Sequence, residues 1–400
     1  MAGRTDTRSR RDVLQGMGTL ALAAACGEPA GAAGTAVPDA ALATGPETRA
    51  VDTAATAEAS APDTPATPET RPFTTDVALP GPDAERPLAD TAARVDTSAS
   101  TPPPSRTPIT TNADHYITSC CPAPALDAKT WSIAIADRGK PLGKLDFALL
   151  ESLAAQTKEH TLACISANPS WQGISNAVWT GLPLVDILAK VGILVPKDTA
   201  YLKLSAADGF ATGLPASDLA KPVWLVWKMN GAPIPLDHGY PARLLVPGRF
   251  GMKNPKWITG LEFVDQPFVG FWEEQGWSDA APYHPIAFIR IPEDFAVVKP
   301  DANGVVRIEG CAYAGSDPVV GVDVRVDGGA WLPAVLDYAK GADVWVLWHF
   351  DGKLGDVKKG DHTLQARCVT KAGKVSKDTA KATKWSDGYD GSMKVTVTVG

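Results

Sequence analysis

His238-Gly-Tyr-Pro-Ala-Arg243-Leu-Leu-Val-Pro-Gly-Arg249-Phe-Gly-Met-Lys253-Asn-Pro-Lys256-Trp257 is the stretch on which the reading of this chain turns. It gathers a histidine and several cations around a short apolar strand at 243–246 and a Pro-Gly turn. Cations fixed on a strand and a turn can clamp a phosphate through charge-assisted hydrogen bonds. Upstream, Thr161-Leu-Ala-Cys164-Ile reads as a strand that leaves Cys164 at a strand-to-loop junction. A soft thiolate in such a place suits a soft metal. Taken singly, each residue has a plainer reading. Cys164 alone is a small core residue, His238 a satisfied structural histidine, and Arg243 and Lys256 a solvated face.

Around this stretch the pattern is mixed. Residues 131–135, 201–204, 223–229, 243–246 and 257–264 read as strands, and 147–153 and 184–191 as short helices, the second stopped by Gly192. Asn230-Gly231 is a strong hairpin signal. After about residue 285 the texture changes to short alternating runs at 305–308, 320–326, 344–348, 362–368 and 393–399, separated by turns such as Asp327-Gly-Gly329. Strands at that spacing without a helical period predict a β-sandwich. The expected class is therefore α+β: mixed sheets with short helices at 113–286, then a sandwich at 287–400.

The first quarter of the chain is different. Of the 400 residues, 12 are tryptophan, all between Trp131 and Trp385, and residues 27–112 hold a single aromatic, Phe73. That Ala-, Pro- and Thr-rich segment has little apolar surface to offset the entropy of ordering, so it reads as a disordered linker, with an end-to-end distance of about 50 Å. Ahead of it, Ser9-Arg10-Arg11-Asp12-Val13-Leu14-Gln15 precedes an apolar stretch at 16–25. This is the twin-arginine export pattern, the alternative being an ordinary secretory signal that contains Arg-Arg. Cys26, after Leu22-Ala-Ala-Ala25, resembles a lipoprotein cleavage site, which would anchor the chain to a membrane; the alternative is signal-peptidase cleavage after the alanines. The expected location is periplasmic or cell-envelope.

Composition excludes several classes. A formal net charge of −7 leaves no basic footprint for nucleic acid. No apolar run of about 18 residues follows the N-terminal segment, which speaks against a membrane-spanning protein. The six cysteines form no C-x-x-C pair, covalent-haem motif or iron–sulfur run. Gly-rich phosphate loops, H-E-x-x-H and G-x-S-x-G are also missing.

Together the motifs resemble the sulfite oxidase superfamily of molybdopterin enzymes across nearly all of 114–400. The family's metal cysteine and the W-x-G-x-P-L that follows are matched by Leu162-Ala-Cys164 and Val178-Trp-Thr-Gly-Leu-Pro-Leu184. The 238–257 stretch matches its cofactor clamp. Gly310-Cys-Ala-Tyr-Ala-Gly315, Val324-Arg-Val-Asp-Gly-Gly329 and Trp331 resemble its immunoglobulin-like dimerisation domain. The resemblance implies a molybdopterin (Mo) cofactor with Cys164 as metal ligand, and a homodimer. It implies His238, Arg243, Lys253 and Lys256 as cofactor contacts, with Tyr116, Thr118, Ser119 and Cys120 in a first cofactor loop and Ser205 and Asp208 in another. The chemistry would belong to the cofactor, and positioning to the protein. Folded export then has a reason, because the pterin is inserted before transport.

Departures bear on the substrate. Where sulfite oxidases carry anion-holding arginines, this chain has Thr118 and the uncharged run Ile165-Ser-Ala-Asn-Pro-Ser170; their active-site tyrosine is matched by Trp277. Each lost cation removes an anion contact of roughly 1.5–3 kcal/mol, so sulfite is not the expected substrate. The leading reading is an exported oxidoreductase of the oxygen-atom-transfer type acting on a small molecule, with electrons exchanged with a separate cytochrome or membrane haem protein. The alternatives are a reductase like the periplasmic methionine sulfoxide reductases, and a tethered binding module that has lost the metal. Cys120 and Cys121 admit ligation, a disulfide, or packing against the cofactor edge. Cys311 and Cys368 admit a bridge across the sandwich or two separately buried thiols.

Overall fold

The computed structural model describes residues 107–167, 173–354, 358–377 and 387–400. The twin-arginine stretch, Cys26, most of the 27–112 linker and residues 168–170 lie outside the described residues. In chain order the first strands are β1 (Ser132–Asp137), β2 (Lys140–Asp146), β3 (Gln156–Ala163), β4 (Ile174–Pro183) and β5 (Tyr201–Ala206). They are followed by β6 (Ala211–Pro215), β7 (Trp224–Met229), β8 (Ala232–Pro233), β9 (Arg243–Leu245) and β10 (Ile258–Val264). Short helices α1 (Phe147–Ser152), α2 (Leu184–Lys190) and α3 (Phe271–Glu274) lie among them.

One sheet runs β2-β1-β10-β5-β6, with β1 and β10 parallel and Ile135 opposite Leu261. Its inward residues alternate as a strand requires: Ile133 and Ile135, Leu202 and Leu204, Leu261 and Phe263 are all buried. They close a core with Leu150 of α1 and Leu184, Ile187 and Leu188 of α2. Asp146 caps α1 by accepting from the Leu149 amide at 2.9 Å.

The second sheet runs β3-β4-β7-β8, with β9 added on β7. Asn230 and Gly231 take φ of 51° and 80° between β7 and β8, the geometry of a type I′ hairpin. Strand β4 was not foreseen beyond its Val178–Leu184 motif, because it is buried on both faces and shows no alternation. Its polar residues are satisfied internally: Thr161 donates to Asn176 Oδ1 at 2.9 Å, and Asn176 donates to the Pro108 carbonyl at 2.9 Å. Gly181 is glycine because a Cβ there would sit 2.1 Å from the Leu225 carbonyl oxygen.

The remaining strands are β11 (Ile286–Ile291), β12 (Ala296–Val298), β13 (Val305–Tyr313), β14 (Val319–Val326) and β15 (Leu332–Pro333). β16 (Val335–Tyr338), β17 (Val346–Lys353), β18 (Gly360–Thr370) and β19 (Met393–Val399) complete the chain. They pair as β11-β13-β17-β16 and β12-β19-β18-β14-β15, a two-sheet sandwich. Cys311 and Cys368 are separate buried thiols within it, which decides between the two readings of the sequence. Burial pushes the Cys368 thiol up to about 12, and its Sγ donates to the Ile286 carbonyl at 3.4 Å.

The sandwich supports the end of β3. Tyr313 donates its hydroxyl to the Thr161 carbonyl at 3.0 Å, and the Ala163 amide donates to Tyr283 Oη at 3.1 Å. Ala163, Ile165, Phe250 and Met252 share one apolar cluster with Ile286, Phe288 and Tyr313. Residue 164 is thus held from two sides.

Candidate functional site

The last β3–β4 pair is Ala163 opposite Ile174, so Cys164 is the first residue past the ladder. Its amide donates to the Gly173 carbonyl at 2.9 Å and its carbonyl accepts from Ala167 at 3.0 Å, which turns the chain and leaves the thiol facing a cleft. The Sγ lies 3.1 Å from Ser166 Oγ. Burial pushes this thiol up, while hydrogen bonds from Ser166 and Thr118 pull it down. A thiol so placed becomes a ligand only when a metal displaces its proton.

Arg243 opens β9 on the wall of the same cleft and is only 5% exposed. It donates to the His238 carbonyl at 2.9 Å and to the Asn254 carbonyl at 3.0 Å, and its plane lies 5.4 Å from the Trp179 ring centre. Its Nε is buried with no hydrogen-bond partner. Burial lowers the guanidinium to about 10.

Lys256 approaches from the following turn. It donates to Ser119 Oγ at 2.5 Å and to the Asp237 carbonyl at 2.9 Å, with the ammonium 4.3 Å from the Trp257 ring centre. Burial, and then the charge of Arg243, lower it to about 7. Gly239, at φ 114°, permits the approach, since a Cβ there would press within 3.1 Å on the Cβ atoms of both Arg243 and Lys256.

His238 and His115 face each other across the floor, ring centres 5.1 Å apart. His238 Nε2 donates to the Asn112 carbonyl at 2.8 Å, and His115 Nδ1 to the Tyr116 carbonyl at 3.1 Å. Burial, then the proximity of His238, lowers His115 to about 3, so its ring is neutral and Nε2 remains a buried acceptor with no partner. His115 was not a sequence candidate. Its only signal was adjacency to Tyr116, and histidines of that kind are common in loops.

The structure brings Tyr116, Thr118, Ser119, Cys120, Cys164, Asp208, His238, Arg243, Lys256 and Trp277 to one cleft. Phe210, Met252 and Trp272 complete its aromatic and apolar side. The empty space between these atoms is about 860 Å³, counting the open mouth.

Two sequence candidates stand apart. Lys253 is buried on the other side of its turn, with Nζ 2.5 Å from Glu273, 3.0 Å from Asp279 and 2.9 Å from the Gly213 carbonyl. It is a structural cation, neutralised before any ligand could use it. Ser205 lies within β5, paired between Gly260 and Ala211 in the sheet, and is not among the residues lining the cleft.

A molybdopterin fits what remains. Arg243 and Lys256 have no carboxylate within ion-pair distance among the described residues, and both are held below their ordinary pKa values. A buried and a half-buried cation left without a carboxylate call for an anionic ligand such as a phosphate. The partnerless Arg243 Nε and His115 Nε2 offer a donor and an acceptor at the same wall.

The sign of the Lys256 shift gives a measurable consequence. Between about pH 7 and pH 10.5 the unfolded chain keeps a proton that the folded, cofactor-free chain has shed, so stability rises with pH across that window. A bound phosphate raises the pKa again. Added phosphate should therefore raise the melting temperature more at about pH 6 than at about pH 9, and Lys256→Met should remove the difference. Equal stabilisation at the two pH values in the parent chain would refute the assignment.

Residues 120–272 match the family model of the oxidoreductase molybdopterin binding domain. Mouse mitochondrial sulfite oxidase is 28% identical over 295 residues, covering 62% of this chain and 53% of that protein. An oxidoreductase of Bacillus subtilis, YuiH, is 31% identical over 134 residues, 33% of this chain and 65% of that one. Among solved structures, the sulfane dehydrogenase SoxCD from Paracoccus pantotrophus superposes with a TM-score of 0.63 at 22% identity, covering 82% of this chain and 95% of that one. The chain spans about half the length of the mammalian sulfite oxidases it matches.

Proposed function

Residues 120–272 are a molybdopterin-binding oxidoreductase domain of the sulfite oxidase superfamily, and from that premise we propose that the whole chain is an exported two-electron oxidoreductase whose protein ligand to molybdenum is Cys164. The observation that carries the reading is the buried Arg243 and the half-buried Lys256, neither with a carboxylate at ion-pair distance among the described residues, sharing one cleft with the thiol. The bound cofactor would supply oxygen-atom-transfer chemistry. Thr118 and Ser166 orient the Cys164 sulfur by hydrogen bonding. Arg243 and Lys256 would hold the phosphate, and His115 and His238 would contact the pterin. Phe210, Trp272 and Trp277 form the aromatic side of the cleft. The twin-arginine stretch and Cys26 support export and membrane tethering. Electrons would pass to or from a separate haem protein. Exposed Leu332 and Val335 on edge strands β15 and β16 suit a homodimer.

The substrate is an uncharged organic molecule rather than sulfite. No charged side chain occurs from Ile165 to Trp179, and Thr118 stands in the first loop where an anion-binding arginine would be needed. The aromatic side of the cleft favours a neutral sulfoxide or thioether, and this supports the sulfoxide-reductase reading as the second choice. Protein from a host that makes molybdopterin should hold about one molybdenum per chain. It should turn over a neutral sulfoxide or thioether with kcat/KM at least about 100-fold above that for sulfite, since two missing anion contacts are together worth about 3–6 kcal/mol. A metal-free, fully folded chain would establish the binding module instead. Sulfite turnover at rates ordinary for enzymes would overturn the substrate assignment.

A further inference from the structure

One buried ammonium holds both ends of one loop. Lys253 is 1% exposed, and its three N–H donors are all placed: on Glu273 Oε1 at 2.5 Å, Asp279 Oδ1 at 3.0 Å and the Gly213 carbonyl at 2.9 Å. Each carboxylate takes a further donor from the sheet. Thr212 of β6 donates to Glu273 Oε1 at 2.7 Å, and Tyr201 of β5 donates to Asp279 Oδ2 at 3.0 Å. The loop has little of its own to fix it, since α3 is four residues long with no side-chain N-cap, far short of a helix that stands alone in water. Gly270 begins it against the β6 backbone, where a Cβ would come within 2.4 Å of the Ala211 carbonyl oxygen. Trp277 lies within the span fastened at 273 and 279, and Trp272 directly before it; both line the cleft. The Trp277 amide donates to the Trp272 carbonyl at 3.2 Å, so the two residues share one turn.

We propose that Lys253 is a specificity-determining positioning residue: by fastening Glu273 and Asp279 to one point, it sets where Trp272 and Trp277 stand and so which neutral substrates the cleft admits. The inference rests on the function proposed above, in which the aromatic side of the cleft receives an uncharged sulfoxide or thioether. Lys253 does not line the cleft itself and acts only through the loop. Two carboxylates drawn onto one ammonium stand close enough to repel each other once it is gone. Without the cation the two ends of the loop part and the indoles lose their fixed places. A wall that yields sorts substrates by size less sharply than one that is held, so the cation favours small substrates over bulky ones.

The test has two arms. In the first, the full-length chain is labelled with 5-fluorotryptophan and read by fluorine NMR, with two signals assigned through Trp272→Phe and Trp277→Phe. This arm needs neither molybdenum nor turnover. In Lys253→Met those two of the 12 tryptophan signals should shift or broaden while the rest hold. Asp279, whose side chain is 48% exposed, offers a milder variant should Lys253→Met fail to fold: Asp279→Asn releases only the far end of the loop, and the Trp277 signal should move more than that of Trp272. In the second arm, the molybdenum-loaded enzyme is assayed with dimethyl sulfoxide and with a bulky aryl sulfoxide. The kcat/KM ratio of small over bulky substrate should fall about tenfold in either variant, through KM, with kcat within about twofold of the parent. Unmoved Trp272 and Trp277 signals in the variants overturn the proposal. So does an unchanged size ratio, with or without a fall in kcat and molybdenum content, because it marks a purely structural lysine. A parent that turns over neither sulfoxide defeats the functional reading and the sorting with it, and is told apart because the labelled tryptophans still report whether Lys253 holds the loop.

Discussion

Cys164→Ser is expected to lower turnover by three orders of magnitude or more, about 4 kcal/mol in barrier, while the chain folds as before. The exchange is nearly isosteric, and what holds this position is backbone: Ala163 to Tyr283, Cys164 to Gly173 and Ala167 to Cys164. None of these contacts involves the sulfur, so the melting temperature should change by no more than a surface substitution would change it. The chemistry is another matter. A serine oxygen is a hard donor whose proton leaves far less readily than a thiol's, so it cannot replace a polarizable thiolate on a soft metal. Elemental analysis and turnover with an artificial electron acceptor check the two halves separately: molybdenum per chain should fall well below one, and activity should fall further. Parent-like turnover from a well-folded serine variant would mean that the thiol faces the cleft without serving the metal.

How far the site was legible in advance depended on local chemistry. Cys164, Arg243 and Lys256 were legible because motif order and residue type both pointed to them, and the fold brings them together. Lys253 read the same way from sequence, yet Glu273 and Asp279 claim it. Nothing in linear spacing says which of two lysines three residues apart will meet carboxylates from twenty residues downstream. Ser205 failed by strand parity: on β5 it shares the half-exposed face with Tyr201 and Lys203, opposite the buried face of Leu202 and Leu204, and it does not line the cleft. His115 was missed because its significance comes from burial against Trp179 and His238, both distant in sequence. For the fold, alternation revealed β1, β5 and β10. It was silent on β4, where burial on both faces erases the period, and on β2, whose first five residues are exposed. Edge strands β15 and β16 were likewise invisible, because short exposed segments carry little pattern.

Arg243→Met is expected to cost both stability and cofactor, and the two losses have separable causes. Methionine fills much of the same volume, so no large cavity opens beside Trp179. The His238 and Asn254 carbonyls, however, lose their donors in a buried place. At about 1–3 kcal/mol for each orphaned group, offset by no longer burying a charge, the cofactor-free chain should lose about 2–4 kcal/mol by denaturant unfolding. Arg243→Lys should recover the charge but not the fork that reaches both carbonyls, and so should fall between parent and methionine variant. Cofactor retention should follow charge more than stability, being near zero in Arg243→Met and partial in Arg243→Lys. The same substitution also reads the electrostatics of the cleft. Arg243 is the largest cause, after burial, of the depression of Lys256 to about 7, so in Arg243→Met that lysine should titrate higher and the window of rising stability should start above pH 7. If the pH profile of Arg243→Met matches the parent's, the two cations do not sense each other, and the clamp they are taken to form has no electrostatic basis.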